Sequence, residues 1–550
     1  MNKFTMSYGN LIKATAKADA SFLRDPQNLC GNHGMSGSFG IEDICSNDGE
    51  YTYVTTEPYE KAGVTFDLGG IKSLAYMFVY NLGMPGFEKA GMRKIKIFIS
   101  QDGQSFEEFK GKGYPYILAK ARPDGKASNL DDGKNSPVDF GGQKIAYVRI
   151  VPDGDTGEGN YGIYVEKINA YALSKVRFYE TLQSQIHGEF ETEPANQWSA
   201  EFSRMDGWGG ADGIFCVPLD GVEKRGGLKK SLMIFSDTFI GKSNPHTKRR
   251  STVQMVNNTM AFVTNEGDNK RKFKFVVNKT PDKKYFDSII KAPKGCGYYY
   301  WLQDPVVVGE NIYIFTDNIQ NDPTGPEGFR FKVVGIDMLK IPIVNGKPQL
   351  DKYTSCHTPL FTGSSYFGCC IFPNTVQSGY PNPDGYVYVY GLGGMDIYGK
   401  RFLVARVPEA DFENFDKYTF FNGKEWVADI NQAVSISDDG GAECSVTPIS
   451  SGKYAGKFMY THMKDGIGNT VVVSFADNPW GPFDKDLPIY MPTDLEEIGG
   501  KAYTYNAKAH YHLSPSDGLL ISYNINARNY QHHIDNCDVY RPRFIKLKGF

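Results

Sequence analysis

The sequence predicts an all-β protein of two units, and three observations carry that prediction. Glycine supplies 60 of 550 residues, about 11% against a usual figure of about 7%, which marks a chain rich in turns. Tyrosine (35) and phenylalanine (36) are abundant, and aromatic side chains suit the half-buried surface of a strand. Short runs alternating apolar and polar residues recur along the chain, cut by Gly, Asp and Asn. With 41% hydrophobic and 22% charged residues there is material for packed cores, and a disordered, coiled-coil or collagenous chain is excluded.

Taken in order, the runs Val64 to Gly69, Arg93 to Ser100, Ala146 to Val151 and Ile163 to Tyr171 have the spacing of a β-sandwich, assigned to residues 1–172. Ser174 to His187 lacks Gly and Pro and places Val176, Phe178, Leu182 and Ile186 at helical intervals, so residues 173–195 are predicted as a connecting helix and linker. From residue 196 to 550 a strand pattern repeats: Leu232 to Asp237, Ile312 to Asp317, Tyr386 to Gly391, Lys457 to His462 and Leu519 to Asn524 are apolar and end in a small or polar residue. Each follows another candidate strand start, at Asp212, Asp304, Phe367, Glu443 and Asn506, and these starts lie 92, 63, 76 and 63 residues apart. Five such units predict a β-propeller of five blades, because radial stacking is how a repeated sheet buries its faces. The long first interval implies an insertion between Asn265 and Gly297.

The 60 basic and 63 acidic residues give a net charge of −3, and the basic clusters at Lys248 to Arg250 and Lys270 to Lys272 are short and interrupted. That excludes a nucleic-acid footprint. No window approaches the roughly 18 apolar residues of a membrane span, and Met1 to Leu23 lacks the apolar core of a signal peptide. Nine scattered cysteines, with Cys369 and Cys370 adjacent, form neither a disulfide framework nor a CxxC metal pattern. The expectation is a cytoplasmic chain with buried thiols. Its alternative is a secreted protein whose signal has been removed, and the oligomeric state stays open.

Two resemblances follow from particular residues. Residues 30–172 resemble a discoidin-type (coagulation-factor C-type) jelly roll, a carbohydrate-binding module of glycosidases, through Val64-Thr65-Phe66-Asp67-Leu68-Gly69, the hairpin Ser100-Gln101-Asp102-Gly103 with Phe106, and Tyr147-Val148-Arg149-Ile150. Residues 196–550 resemble five-bladed propeller glycosidase-like proteins related to the endo-D-arabinanases, through Trp208 to Gly213, Phe235 to Gly241, Leu403 to Pro408, Ala476 to Phe483 and Tyr505 to His510. The resemblance implies hydrolysis of a neutral glycan, with a furanoside of the arabinan type as one substrate.

In a propeller the innermost strands converge on one pocket, which would gather Asp212, Asp304, Glu443 and His510. Glycoside hydrolysis needs two carboxylates, one protonated to assist the leaving oxygen and one ionised to attack or to activate water. Asp212, between Gly210 and Gly213, is the candidate base or nucleophile, although Asp-Gly also suits a hairpin turn. Asp237 ends an apolar strand and is either the second acid or a structural aspartate. Glu443 is the candidate general acid, with a salt-bridged structural glutamate as its alternative. Asp304 follows the aromatic run Tyr298 to Trp301, which fits either sugar subsites or core packing. Trp208 and Trp301 are candidate stacking faces. Arg406, Asn506, His510, Asn524 and Arg528 are candidate hydroxyl binders.

His510 and His512 would share one face of a strand, too few ligands for zinc, and His532-His533 reads as a solvated loop. No metal is assigned and no cofactor is required; a structural calcium ion is left open. A non-catalytic glycan-binding protein, or a lyase or phosphorylase on the same scaffold, is the rival reading.

Overall fold

Alternation of buried and exposed side chains sets the strands of the computed structural model, which describes residues 8–36, 43–163, 168–181, 184–244, 247–265, 271–293, 295, 297–325, 330–394, 401–437, 439–493, 502–527 and 529–550. The protein is all-β, built of antiparallel sheets with a few short helical turns. Among the described residues no helix is long and apolar enough to cross a membrane. Two compact units are present: Met1–Gln183 with Ser203–Met205 and Asn244–Arg249, and the remainder.

The first unit holds one nine-stranded sheet whose long members are Val64–Asn81, Val138–Pro152 and Tyr171–Thr181. In the first of these, Val64, Phe66 and Leu68 point inward until Gly69 and Gly70, at φ +71° and +110°, break the ladder. Only glycine adopts successive positive φ values cheaply, so this pair is the bend between the two halves of the strand. The Ser100-x-Asp102-Gly103 hairpin closes through Asp102, which accepts the Ser100 hydroxyl (2.9 Å) and the amides of Gln104 and Ser105 (2.8 Å each). Those donors hold its carboxyl down at about 2.

The helix expected over Ser174 to His187 is a strand instead, Tyr171–Thr181, followed by the short strand Gln185–His187, with Leu182 outside the described residues. Val176 pairs with Val79 and Phe178 with Met77. The strand is central and covered on both faces, so Lys175 and Arg177 are buried along with the apolar residues. A strand buried on both sides shows no period of two, and its scattered apolar positions imitate a helix.

In the second unit, four sheets follow one another along the chain. Their leading strands are Phe215–Pro218, Tyr298–Val308, Ser365–Asn374 and Ser445–Pro448. A six-stranded sheet contains Ala502–Ala509, Gly518–Ala527 and Arg543–Lys548, and the last of these pairs with Phe190–Pro194 from the start of the unit. A separate three-stranded sheet is made of Asp206–Ala211, Thr238–Ser243 and Arg250–Val256.

Three of the predicted strand starts prove to be bulges inside longer strands. The pairing register slips between Leu302 and Pro305, between Phe367 and Cys370, and between Tyr505 and Lys508. A bulge leaves the same mark on a sequence as a strand start, a small or polar residue interrupting an apolar run, and it re-aims the side chains it carries. Asp212 and Glu443 do stand just before strands, at Phe215 and Ser445.

Candidate active site

Asp212 sits where the chain leaves Asp206–Ala211 and enters Phe215–Pro218. The turn is clamped to the end of a neighbouring strand: the Ser236 amide donates to the Asp212 carbonyl (3.0 Å) and the Asp212 amide to the Asp237 carbonyl (3.4 Å). Gly213 makes that clamp possible, because at φ +63° a Cβ there would lie 2.7 Å from the Ser236 hydroxyl and 2.8 Å from its nitrogen. The Asp-Gly step is therefore a crossing between two sheets and not a hairpin. It brings Asp212 and Asp237 together.

The two carboxyls meet different surroundings. Asp212 Oδ2 accepts the hydroxyls of Tyr505 (2.8 Å) and Tyr540 (2.7 Å), while Oδ1 is buried without a hydrogen-bond partner among the described residues. Burial raises this carboxyl above the usual range, opposed by both tyrosines and by the positive Lys508. Tyr540 is held at φ +72°, a conformation that a bulky residue rarely adopts, and its carbonyl would lie 2.5 Å from a Cβ on Gly210. Asp237 Oδ1 accepts from the Trp301 indole (3.0 Å) and from the Asn257 side chain (3.2 Å). Burial, then the negative Asp212, push its carboxyl up to about 7.

Glu443 is buried and ion-paired with Lys508 through Oε2. Burial raises it to about 7 against the pull of Lys508, with Asp212 and Asp317 adding to the rise. The Lys508 ammonium lies 4.3 Å from the centre of the Phe215 ring. Asp304 Oδ2 accepts the Ile371 amide (2.7 Å), which ties it to the adjacent sheet, and burial lifts it to about 8. A cavity of about 60 Å³ is lined by Asp304 and Lys508 together with Cys216, Cys370 and Ser445, one from each of five sheets; Asp212, Asp237 and Glu443 are not among its lining residues. The four proposed acids thus form a chain of electrostatic neighbours, Asp237 to Asp212 to Glu443 to Asp304.

Of the other expected site residues, His510 lines the cavity with Asp304 and Lys508. Trp208, expected to stack on sugar, is 1% exposed, donates its indole N–H to Thr259 (3.1 Å) and packs on Phe202, Phe235 and Phe275. Arg406 lies between the rings of Tyr386 and Trp426, 4.2 Å from each centre. Asn524 is fully buried and donates to the Ala211 carbonyl (2.9 Å), supporting the residue before Asp212. Asn506 occupies the bulge at φ +61°. Trp301 keeps a place at the site, through Asp237.

His510 and His512 do not share a strand face, since the strand ends at Ala509 and a 3-10 turn runs from Tyr511 to Leu513. His510 bonds Ser522 (2.7 Å), and His512 bonds Glu223 (2.9 Å). His533, expected in a solvated loop, is buried on the helix Tyr530–Asp535 and bonds Asn526 (2.7 Å). Arg528 lies outside the described residues.

Sequence reasoning passed over Tyr505, Tyr540, Asn257, Lys508 and Asp317. Asp317 carried the signal used for Asp237, an acid ending an apolar strand, and accepts from Gln303 (2.7 Å). The others carry no local signal, because their role comes from pairing across the fold. Asp439, His462 and Asp486 are close enough to hold a cation. The Lys464 ammonium already serves both carboxylates, at 3.3 and 2.8 Å.

No curated protein matches the chain. Among solved structures, one titled "putative hydrolase" from Bacteroides ovatus is 19% identical, covering 66% of this chain and 93% of that one at a TM-score of 0.53, a likeness of fold. A CBM32 module from a family 31 glycoside hydrolase of Clostridium perfringens is 15% identical over 30% of this chain and 91% of its own, at a TM-score of 0.19. A family 89 glycoside hydrolase of the same organism, in complex with 2-acetamido-1,2-dideoxynojirmycin, is 15% identical over 32% of this chain and 15% of its own, at a TM-score of 0.18. Residues 195–550 match the family described as "Domain of unknown function (DUF5005)". The chain belongs to that family.

Proposed function

We propose that this protein is a glycoside hydrolase whose working pair is Asp212 and Asp237, carried on a five-bladed propeller that follows a discoidin-like sandwich in the sequence. The propeller reading is supported by five sheets whose leading residues line one cavity and by a last sheet that joins the first and final strands of the unit. The observation that carries the chemistry is the contrast within the pair. Asp212 receives two hydroxyl donors on Oδ2, and its buried Oδ1 has no hydrogen-bond partner among the described residues, which suits an ionised base or nucleophile. Asp237, raised by burial and by its negative neighbour, suits a proton donor to the leaving oxygen. Glu443 is tied to Lys508 and acts on the pair through charge. No residue of the site speaks for a furanoside or for arabinan, so the reading stops at an O-glycosidic bond.

Screening glycans for new reducing ends tests the proposal. Product that disappears in both Asp212→Asn and Asp237→Asn supports it; binding without product on any glycan favours a non-catalytic binding protein instead.

The pH dependence follows from Asp237. Its protonated form is the active one, so kcat/KM falls as pH rises through about 7. The Trp301 indole stabilises the ionised form. Trp301→Phe therefore raises the Asp237 pKa, and the alkaline limb of the profile moves up by about one pH unit. A limb that stays in place separates Asp237 from the acid step.

A further inference from the structure

Between residues 270 and 294 the chain carries nine Lys or Arg against two Asp, a net charge of +7 within a chain whose total is −3. Part of this excess forms a hairpin of residues 278–287, closed by the pairs Asn278 with Asp287 and Lys279 with Phe286. The hairpin is fixed to the body by Gln254, whose side-chain amide donates to the Phe286 carbonyl and accepts from the Phe286 amide (2.7 Å each). Ser288, the next residue, accepts the Asn257 amide (3.1 Å), and the Asn257 side chain donates to Asp237. One residue thus connects the foot of the hairpin to a carboxyl of the candidate site.

The hairpin's own acids are spoken for. Asp282 accepts from Thr280 (2.6 Å) and the Lys284 amide (3.1 Å) inside the turn, and Asp287 pairs with Lys291 (2.5 Å). Lys279, Lys283 and Lys284 are exposed and have no carboxylate partner among the described residues. Lys283 stands at φ +59°, where Gly or Asn would sit with less strain. Tyr285, at 62% exposure, offers an aromatic face beside them.

We infer that this hairpin holds anionic groups of an acidic glycan at the rim of the Asp212–Asp237 site. The inference rests on the reading of that site as a glycan site and names the substrate's charge. The buried acids oppose entry of an anion, and Lys508 is already committed to Glu443. Compensation therefore has to come from the rim, where the ammonium groups of Lys283 and Lys284, and of Lys279 over the Phe286 ring at 5.3 Å, raise the local concentration of a polyanion. A nucleic acid fits less well, because among the described residues of the hairpin Tyr285 is the one exposed aromatic, where stacking successive bases takes a series.

The test compares the full-length protein with a Lys279→Ser, Lys283→Ser, Lys284→Ser variant by affinity electrophoresis in polygalacturonate, dextran sulfate, neutral dextran and duplex DNA. The expected result is retention by an acidic glycan but not by dextran, weakening with salt and falling by about tenfold or more in the variant, with an unchanged circular dichroism spectrum. Retention by polygalacturonate alone assigns the site to carboxylates, by dextran sulfate alone to sulfates, and by both to either. Equal retention of variant and parent, or retention in DNA as strong as in the glycans, overturns the inference. Binding is read without turnover: an inactive protein that still needs the lysines overturns only the hydrolytic reading, whereas neutral glycan cleaved equally by both proteins overturns only this one.

Discussion

Asp212→Asn lowers kcat on a hydrolysed glycan by about a thousandfold or more while leaving KM within a few fold. The amide oxygen still accepts the hydroxyls of Tyr505 and Tyr540, so the crossing between sheets and the shape of the site are kept. What is lost is the negative charge of the carboxylate, whose Oδ1 is buried without a hydrogen-bond partner among the described residues. Because a buried charge is removed and its donors keep an acceptor, the variant melts no earlier than the parent. Tyr505→Phe and Tyr540→Phe each remove one donor from the charged form and cost about ten- to a hundredfold, since a hydrogen bond to a charged group contributes about 1.5–3 kcal/mol. Kinetics with reducing-end detection reads all three. Turnover above a tenth of the parent's in Asp212→Asn removes this residue from the chemistry.

How far the sequence could be read depended on whether the relevant contact was local. Asp212-Gly213 and the acid ending Leu232 to Asp237 were visible because a glycine beside an acid and an acid ending an apolar strand are local anomalies, and the fold joins them through two backbone hydrogen bonds. Trp208 was misread because a tryptophan among glycines looks exposed. Here the small neighbours let the backbones of Tyr540 and Phe239 approach while the indole turns inward. The three bulges passed for strand starts because both put a small or polar residue into an apolar run, and the pairing register that tells them apart lies in the partner strand. Tyr505 and Lys508 come from the strand Ala502–Ala509 and Tyr540 from the turn before Arg543–Lys548, nearly 300 residues or more from Asp212, and no spacing rule reaches them.

Replacing Arg177 by Met destabilises the first unit by about 3–5 kcal/mol. Arg177 is 1% exposed on Tyr171–Thr181, and its guanidinium bonds Asp43 (2.7 Å) and Asn32. Neighbouring Lys175, also buried, bonds the Asn28 and Cys30 carbonyls. Two cations on one strand thus hold Asn28, Cys30, Asn32 and Asp43 through polar contacts that burial of apolar area does not supply. Methionine fills much of the volume but takes the Arg177 charge away from the buried Asp43 carboxylate, and that loss is the costly part. Asp43→Leu added to Arg177→Met removes that charge and recovers much of the loss. For a unit of this size the single change lowers the midpoint of thermal unfolding by about 10 °C. All five tryptophans lie between Trp198 and Trp480, in the second unit, so tryptophan emission should keep its midpoint while the calorimetric transition of the first unit moves down. A calorimetric trace that does not change would mean that the pair is replaceable by packing, and that the buried cations hold Asn28, Cys30, Asn32 and Asp43 without adding to the unit's stability.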